Sequence, residues 1–161
     1  MPETRFQFLE GLYYPGYMCL LSEDYDKRSG IFDFKPTEPP VFIPGEYLTP
    51  RGAHIFISQA GICLIEAVLE SEGFDMNADE YRELTAEGRL KIVELNQKYR
   101  REVGLDRDLQ GKVALTGIRW GKMPMVRMDF DIANRAIRGN LVGVLVPKPV
   151  PQTNADIWRG N

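Results

Sequence analysis

Between Gly52 and Glu72 the apolar side chains fall at three- and four-residue spacing: Ala53, Ile57, Ala60, Gly61, Leu64, Ile65, Val68 and Leu69. That period predicts a helix. Thr49 before Pro50 suits an N-cap followed by a first helical position, and Gly73 suits the stop. Some twenty residues give a rod about 30 Å long. Ile55, Ile62 and Cys63 widen the apolar face beyond one stripe, so the helix is expected to be covered on most sides. It reads as a core helix.

Before it lie short runs rich in aromatic and aliphatic residues. Tyr17 to Leu21 and Gly30 to Phe34 read as the strands of a hairpin, with Ser22 to Ser29 as the connection. Pro36, Pro39, Pro40 and Pro44 then exclude helix and predict an extended arm. Asn77-x-x-Glu80 resembles a capping box and opens a second helical region with the apolar stripe Tyr81, Leu84, Leu90, Val93 and Ile92. Arg82, Glu83, Glu87, Arg89, Lys91 and Glu94 are expected on its wet face, and Gly88 divides it. Lys112 to Trp120 and Met123 to Ile132 are strands joined at Gly121-Lys122. In the second, Val126, Met128, Phe130 and Ile132 alternate with Arg127, Asp129 and Asp131, which predicts one buried and one solvated face. Ala136 to Val146 completes a meander, and its apolar end suits a central strand. From Pro147 the chain is expected to be extended and mobile, with Trp158 free to dock. The expectation is an α+β chain forming one domain over 1–161, its core about 12–146 and its tail 147–161.

Composition removes several classes of function. The 161 residues carry a net charge of −3 with a pI near 5.3, and no basic stripe invites a nucleic-acid backbone. No signal-peptide pattern opens the chain, and no wholly apolar run reaches the ~18 residues of a membrane span, so a cytoplasmic protein is expected. Cys19 and Cys63 lie in apolar runs and read as buried free thiols, a disulfide remaining open. With one histidine and two separated cysteines, no metal site is expected.

The order of elements resembles the hotdog superfamily, a curved antiparallel sheet wrapped around a long central helix, over roughly residues 12–146. Gly61-Ile62-Cys63-Leu64-Ile65-Glu66-Ala67 resembles the central-helix motif of β-hydroxyacyl-carrier-protein dehydratases. Tyr99-Arg100-Arg101-Glu102-Val103-Gly104-Leu105-Asp106 resembles the segment that precedes the meander in many hotdog enzymes. Pro44-Gly45-Glu46-Tyr47-Leu48, followed by Gly52 and His54, is similar to the FcoT-like acyl-CoA thioesterases and related enzymes that add glycine to an enoyl-carrier-protein thioester. That branch has Gly-His-Phe-Asn at the helix entrance, where this chain has Gly52-Ala53-His54-Ile55, so the asparagine is missing and the histidine is displaced by one. In the dehydratases the histidine stands two residues further from the glutamate than His54 does from Glu66.

A thioester carbonyl needs hydrogen-bond donors where negative charge develops, and the first amides of a helix have no partners in their own turn. The amides of Gly52, Ala53 and His54 are therefore candidates for an oxyanion site; alternatively Gly52 only permits a tight entry turn. His54, the one side chain whose unperturbed pKa lies near neutrality, is a candidate general base, or a histidine satisfied by a backbone carbonyl. Glu66 on a mostly apolar helix is a candidate acid, or a carboxylate at an exposed edge beside Glu70. Tyr47 would orient reactants in an FcoT-like site, or else packs. Ser58 and Gln59 either line a substrate tunnel or bond within the helix or across a dimer. Arg100 and Arg101, in a cation-rich C-terminal half, would receive coenzyme A phosphates or an acidic carrier protein, or are simply solvated.

The resemblance implies an enzyme acting on acyl thioesters carried by coenzyme A or by the phosphopantetheine of acyl carrier protein, with no further cofactor, in fatty-acid or polyketide-type secondary metabolism. Hydrolysis or amine addition to an enoyl thioester would use His54 and Tyr47. A dehydratase using His54 and Glu66 is the enzyme alternative, and a non-catalytic acyl-binding scaffold the alternative of another class. A homodimer or larger homo-oligomer is implied as well.

Overall fold

The structure is a computed structural model that describes residues 5–13, 17–36 and 47–149. Its elements are α1 (Arg5–Leu12), β1 (Leu20–Asp26), β2 (Ser29–Phe34), α2 (Pro50–Glu72), α3 (Ala78–Ala86), β3 (Leu90–Tyr99), β4 (Leu109–Arg119), β5 (Met125–Ile132) and β6 (Ile137–Leu145). All strand pairs are antiparallel, and the six strands form one sheet in the order β1-β2-β4-β5-β6-β3. Residues 37–46, with the proline-rich arm and the Pro44-Gly45-Glu46 part of the family motif, and 150–161, with Trp158, lie outside the described residues.

The long helix is bounded where its end signals lie. Thr49 is extended and its hydroxyl accepts from Gly52 N at 3.1 Å, while Gly73 closes the helix at φ 65°. Length and composition alone would let α2 cross a membrane, but most of it is buried inside the protein, as a core helix is. Its seat on the sheet is set by one ring. Phe56 stacks on Phe34 at 4.0 Å between centroids and meets Phe32 edge-on. Beneath it lies Gly111 of β4, where a Cβ would fall 2.3 Å from Phe56 Cζ, so only glycine leaves room. At the far end Arg28 grips Glu72 through two hydrogen bonds of 2.7 and 2.6 Å and ties the helix to the β1–β2 turn.

The C-terminal meander follows the alternation of its residues: Val126, Met128, Phe130 and Ile132 are buried on the inner face of the sheet and Arg127 and Asp129 face out. The interior place of β6 matches its apolar run. Two expectations about the elements are corrected. The hairpin strand is shifted: the polar residues Ser22 to Asp26 are strand, and only Lys27-Arg28 turn. As an edge strand β1 can expose polar positions, so it lacks an apolar signature. The second helix stops at Ala86, and residues 90–99 are β3. A bulge between Ile92 and Glu94 shifts the inward set, so Leu95, Gln97 and Tyr99 face the same side as Leu141, Gly139 and Ile137. Leu90 and Val93 stand three apart in the sequence, a spacing that imitates a helical stripe. Finally α1, which was not anticipated, packs on α2 and α3 with Leu9 wholly buried.

Arg82 is not on a wet face. Its guanidinium donates to Glu66, which is fully buried on α2, through Nε at 2.8 Å and through Nη2, and it lies over the Phe8 ring. The pair joins α1, α2 and α3. Arg82→Ala takes the guanidinium from a buried carboxylate and is expected to cost about 3–5 kcal/mol in urea unfolding. Replacing both residues by leucine should recover much of that loss.

Candidate active site

Because α2 sits mainly on β1, β2 and β4 and only reaches β5, the inner face over β6 and β3 is left to other groups. The end of α1 and the end of α3 close over it, leaving a cavity of about 370 Å³. Ile57, Ser58, Gly61, Ile62 and Ile65 form its helical wall; Val126, Met128, Leu141, Gly143 and Ile92 form its floor. Glycine at 61 and 143 keeps both surfaces low: a Cβ on Gly61 would meet Met128 Cε at 3.0 Å, and one on Gly143 would meet Val126 Cγ2 at 3.1 Å. A larger depression of about 620 Å³ lies on the outer face, but it is open, shallow and charged, lined by Lys98, Arg100, Lys112, Asp129, Asp131 and Arg138.

The structure separates the candidate residues. His54 is exposed in the second turn of α2, and Ser58, one turn on along the same face, is part of the cavity wall. Tyr47 is 47% exposed and reaches the start of α2 through a bridge to Gly104, with Leu48 N donating to Val103 O at 2.8 Å. The amides of Gly52 and Ala53 already have acceptors, Thr49 Oγ1 at 3.1 Å and Thr49 O at 3.0 Å. The N-cap and the oxyanion site compete for the same N–H groups, and in this structure the cap holds them.

Gln59 faces away from the cavity. Its Oε1 accepts from Cys19 N and Cys19 Sγ at 3.1 and 3.2 Å, and its Nε2 donates to Tyr17 O at 2.6 Å, so it pins the chain entering β1. Glu66 is also outside the cavity wall, fully buried and not at an exposed edge. Arg101 donates through Nη2 to Ala133 O and Asn134 O at 3.1 and 3.2 Å, clamping the β5–β6 turn. That turn has Ala133, Asn134 and Arg135 in succession at φ 51°, 51° and 65°. Arg100 belongs to the cationic outer face.

Two wall residues were not singled out from sequence, Tyr13 after α1 and Thr85 in α3. The helical spacing of Leu9, Leu12 and Tyr13 carries the signal for the first. Burial pushes the Tyr13 phenol from its ordinary 10.0 up to about 12. Burial likewise raises the Cys19 thiol from 9.0 to about 12, against the pull of its backbone hydrogen bond.

No family model and no curated protein matches the chain in sequence. Solved structures do match in three dimensions. A thioesterase superfamily protein from Shewanella loihica aligns with a TM-score of 0.50 and 14% identity, over 79% of this chain and 91% of that one. AziG from S. sahachiroi aligns at 0.51 with 10% identity, over 79% and 90%. A thioesterase from Haemophilus influenzae aligns at 0.53 with 8% identity, over 83% and 82%. At such identities the likeness is one of fold. The chain has a hotdog fold. β1 and β3 are the two edges of its sheet, and α2 lies toward the β1 side.

The two raised groups fix the sign of one pH dependence. Folded chains keep the Cys19 and Tyr13 protons up to about pH 12, whereas unfolded chains release them from about 9.0 and 10.0. Their contribution is complete below the unfolded values and is lost as pH rises through this window. Urea midpoints are expected to fall from about pH 9 upward, and Cys19→Ala with Tyr13→Phe should remove the part of that slope these two supply, leaving the part due to Tyr81, whose phenol is also raised by burial.

Proposed function

We propose that this protein hydrolyses acyl thioesters, holding the acyl chain in the cavity beside α2 and using His54 as the general base. The observation that carries the reading is the single helical face that bears His54 outside the cavity and Ser58 in its wall. An apolar pocket next to an imidazole suits a substrate with a greasy tail and a reactive head. From Ser58 to Ile65 the wall advances about 10 Å at about 1.5 Å per residue. An extended chain gains about 1.2 Å per bond, so about eight carbons fit.

In the proposed reaction His54 removes a proton from water as its oxygen attacks the thioester carbon. The positive end of the α2 dipole and the Tyr47 hydroxyl favour the charge that grows on the carbonyl oxygen. The tetrahedral adduct then expels the thiolate as the C–S bond breaks, and the proton held by His54 passes to sulfur. The products are a carboxylic acid and the free thiol. The dehydratase alternative loses its acid, because Glu66 is engaged with Arg82 and stands outside the cavity wall. Glycine addition to an enoyl thioester would use the same polarised carbonyl. We further propose that the thiol is coenzyme A or a carrier protein, approaching the sheet end where Arg100 joins Lys98, Lys112 and Arg138.

His54 and Tyr47 are open to solvent on a single chain, and β3 is an unpaired edge exposing Val93 at 58%, Tyr99 at 40% and Ile92 at 37%. These features support a homodimer in which a second copy lies along β3 and shelters the site. Sedimentation should give two copies, and Val93→Lys should shift the protein to one copy with reduced activity.

Octanoyl-coenzyme A and octanoyl-pantetheine should release free thiol, and His54→Ala should lower kcat about 100-fold or more with little change in KM. Full activity in that variant would remove His54 from the mechanism. Tight binding of the acyl chain without turnover would identify a scaffold, and a glycine adduct from an enoyl thioester would identify the addition reaction.

A further inference from the structure

We infer that Leu145 sets the longest acyl chain this protein accepts, as a partition between the cavity and a second cavity that lies in line with it. The inference rests on the first cavity being an acyl site, as proposed above, and adds the residue that limits the chain. The second cavity, of about 320 Å³, is lined at its buried end by Leu84 and Leu145, and Pro124 continues its wall. Exposed charges, Glu80 and Lys122 among them, stand at its outer end.

The direction of α2 shows that the two spaces follow one another. Phe56 lies over Gly111, which pairs with Ile132, and Gly61 lies over Met128. Each turn of α2 therefore advances toward the start of β5, and the floor row after Met128 and Leu141 is Val126 and Gly143. One row further stand Pro124 and Leu145, joined by Leu145 N donating to Pro124 O at 2.9 Å. Residues two apart on a strand share a face, so the second cavity begins about 7 Å beyond the last row of the first. The boundary is one layer of side chains. On β6 Gly143 lines the first cavity and Leu145 the second; on α3 Thr85 lines the first and Leu84 the second. Leu90, which pairs with Leu145, lines the first.

A chain of about eight carbons ends against this layer. Further methylenes have to displace Leu145 and Leu84 from buried, packed positions, and overpacking of that kind is costly. With the side chain at 145 shortened, a chain passes into the second cavity and gains almost as much room again. At about 1.2 Å per bond, the added 7 Å or so takes about six carbons more. Leu145 stands at the far end of the cavity from His54, so its size bears on the tail of the chain and not on the thioester.

Calorimetric titration of the intact protein with straight-chain acids from hexanoic to tetradecanoic reads the limit without requiring turnover, and the same chains as coenzyme A thioesters give kcat/KM. Affinity should rise as far as octanoic acid and fall about tenfold or more by tetradecanoic acid. Leu145→Ala should remove that fall, so that tetradecanoic acid binds about as tightly as octanoic acid. Gly143→Ala, whose Cβ would stand 3.1 Å from Val126 Cγ2 in the last row, should instead move the break to shorter chains, by about two carbons. Unmodified protein that binds tetradecanoic acid as tightly as octanoic acid overturns the inference, and so does a break that stays at the same length in Leu145→Ala. Where that variant does not fold, Leu84→Ala thins the same layer from α3, and an unmoved break there counts equally against it. A break in acid binding without thioester turnover would sink the hydrolase reading alone; turnover without a break would sink only this inference.

Discussion

The Phe56 ring lying in the gap that Gly111 leaves in β4 fixes where the helix can lie. A side chain at 111 would lift α2 off the sheet, because its Cβ would occupy the ring's volume. Stacking on Phe34 and the edge contact with Phe32 hold the ring from the β2 side. The helix is thereby committed to one half of the inner face. The other half must be covered by something else, and among the described residues the ends of α1 and α3 supply partial cover. The cavity is what remains once the helix has been seated off-centre. Its depth then depends on two further glycines, one on each wall.

The two faces of the sheet divide the labour between retention and contact. Inward positions on β5 and β6 are apolar and floor the cavity. Outward positions carry Lys112, Asp131, Arg138 and Lys98 in one cross-strand row, which suits water and charged partners. The charges do not reach the cavity. On the proposed reading, electrostatic choice of a carrier and steric choice of a chain would fall to different residues.

Much of this was legible in the sequence wherever a local rule was sufficient. Thr49, Pro50 and Gly73 mark the ends of α2 because capping chemistry acts within a few residues. The alternation in β5 survives because the strand is paired on both sides with one face buried. β3 was misread because its bulge breaks the two-residue period, and β1 because an edge strand can be polar throughout. Among site residues, the sequence could flag Glu66 as unusual on an apolar helix but not name its partner, since Arg82 reaches it from another helix. Gly52 and Ala53 gave two local signals at once, a cap and an anion site, and only coordinates show which group has the amides. Tyr13 and Thr85 come together with Ser58 only after three helices have packed.

The rims of the sheet are unlike. β1 exposes Asp24 and Asp26, with Glu23 part-buried beside them, so a strand arriving there meets a line of carboxylates. β3 offers valine, isoleucine and tyrosine instead. A chain with two permissive rims could polymerise without limit. With only one, the pairing proposed above would use up the permissive rim of both molecules and end at a closed pair, and the acidic strand would then act as a safeguard against fibre growth.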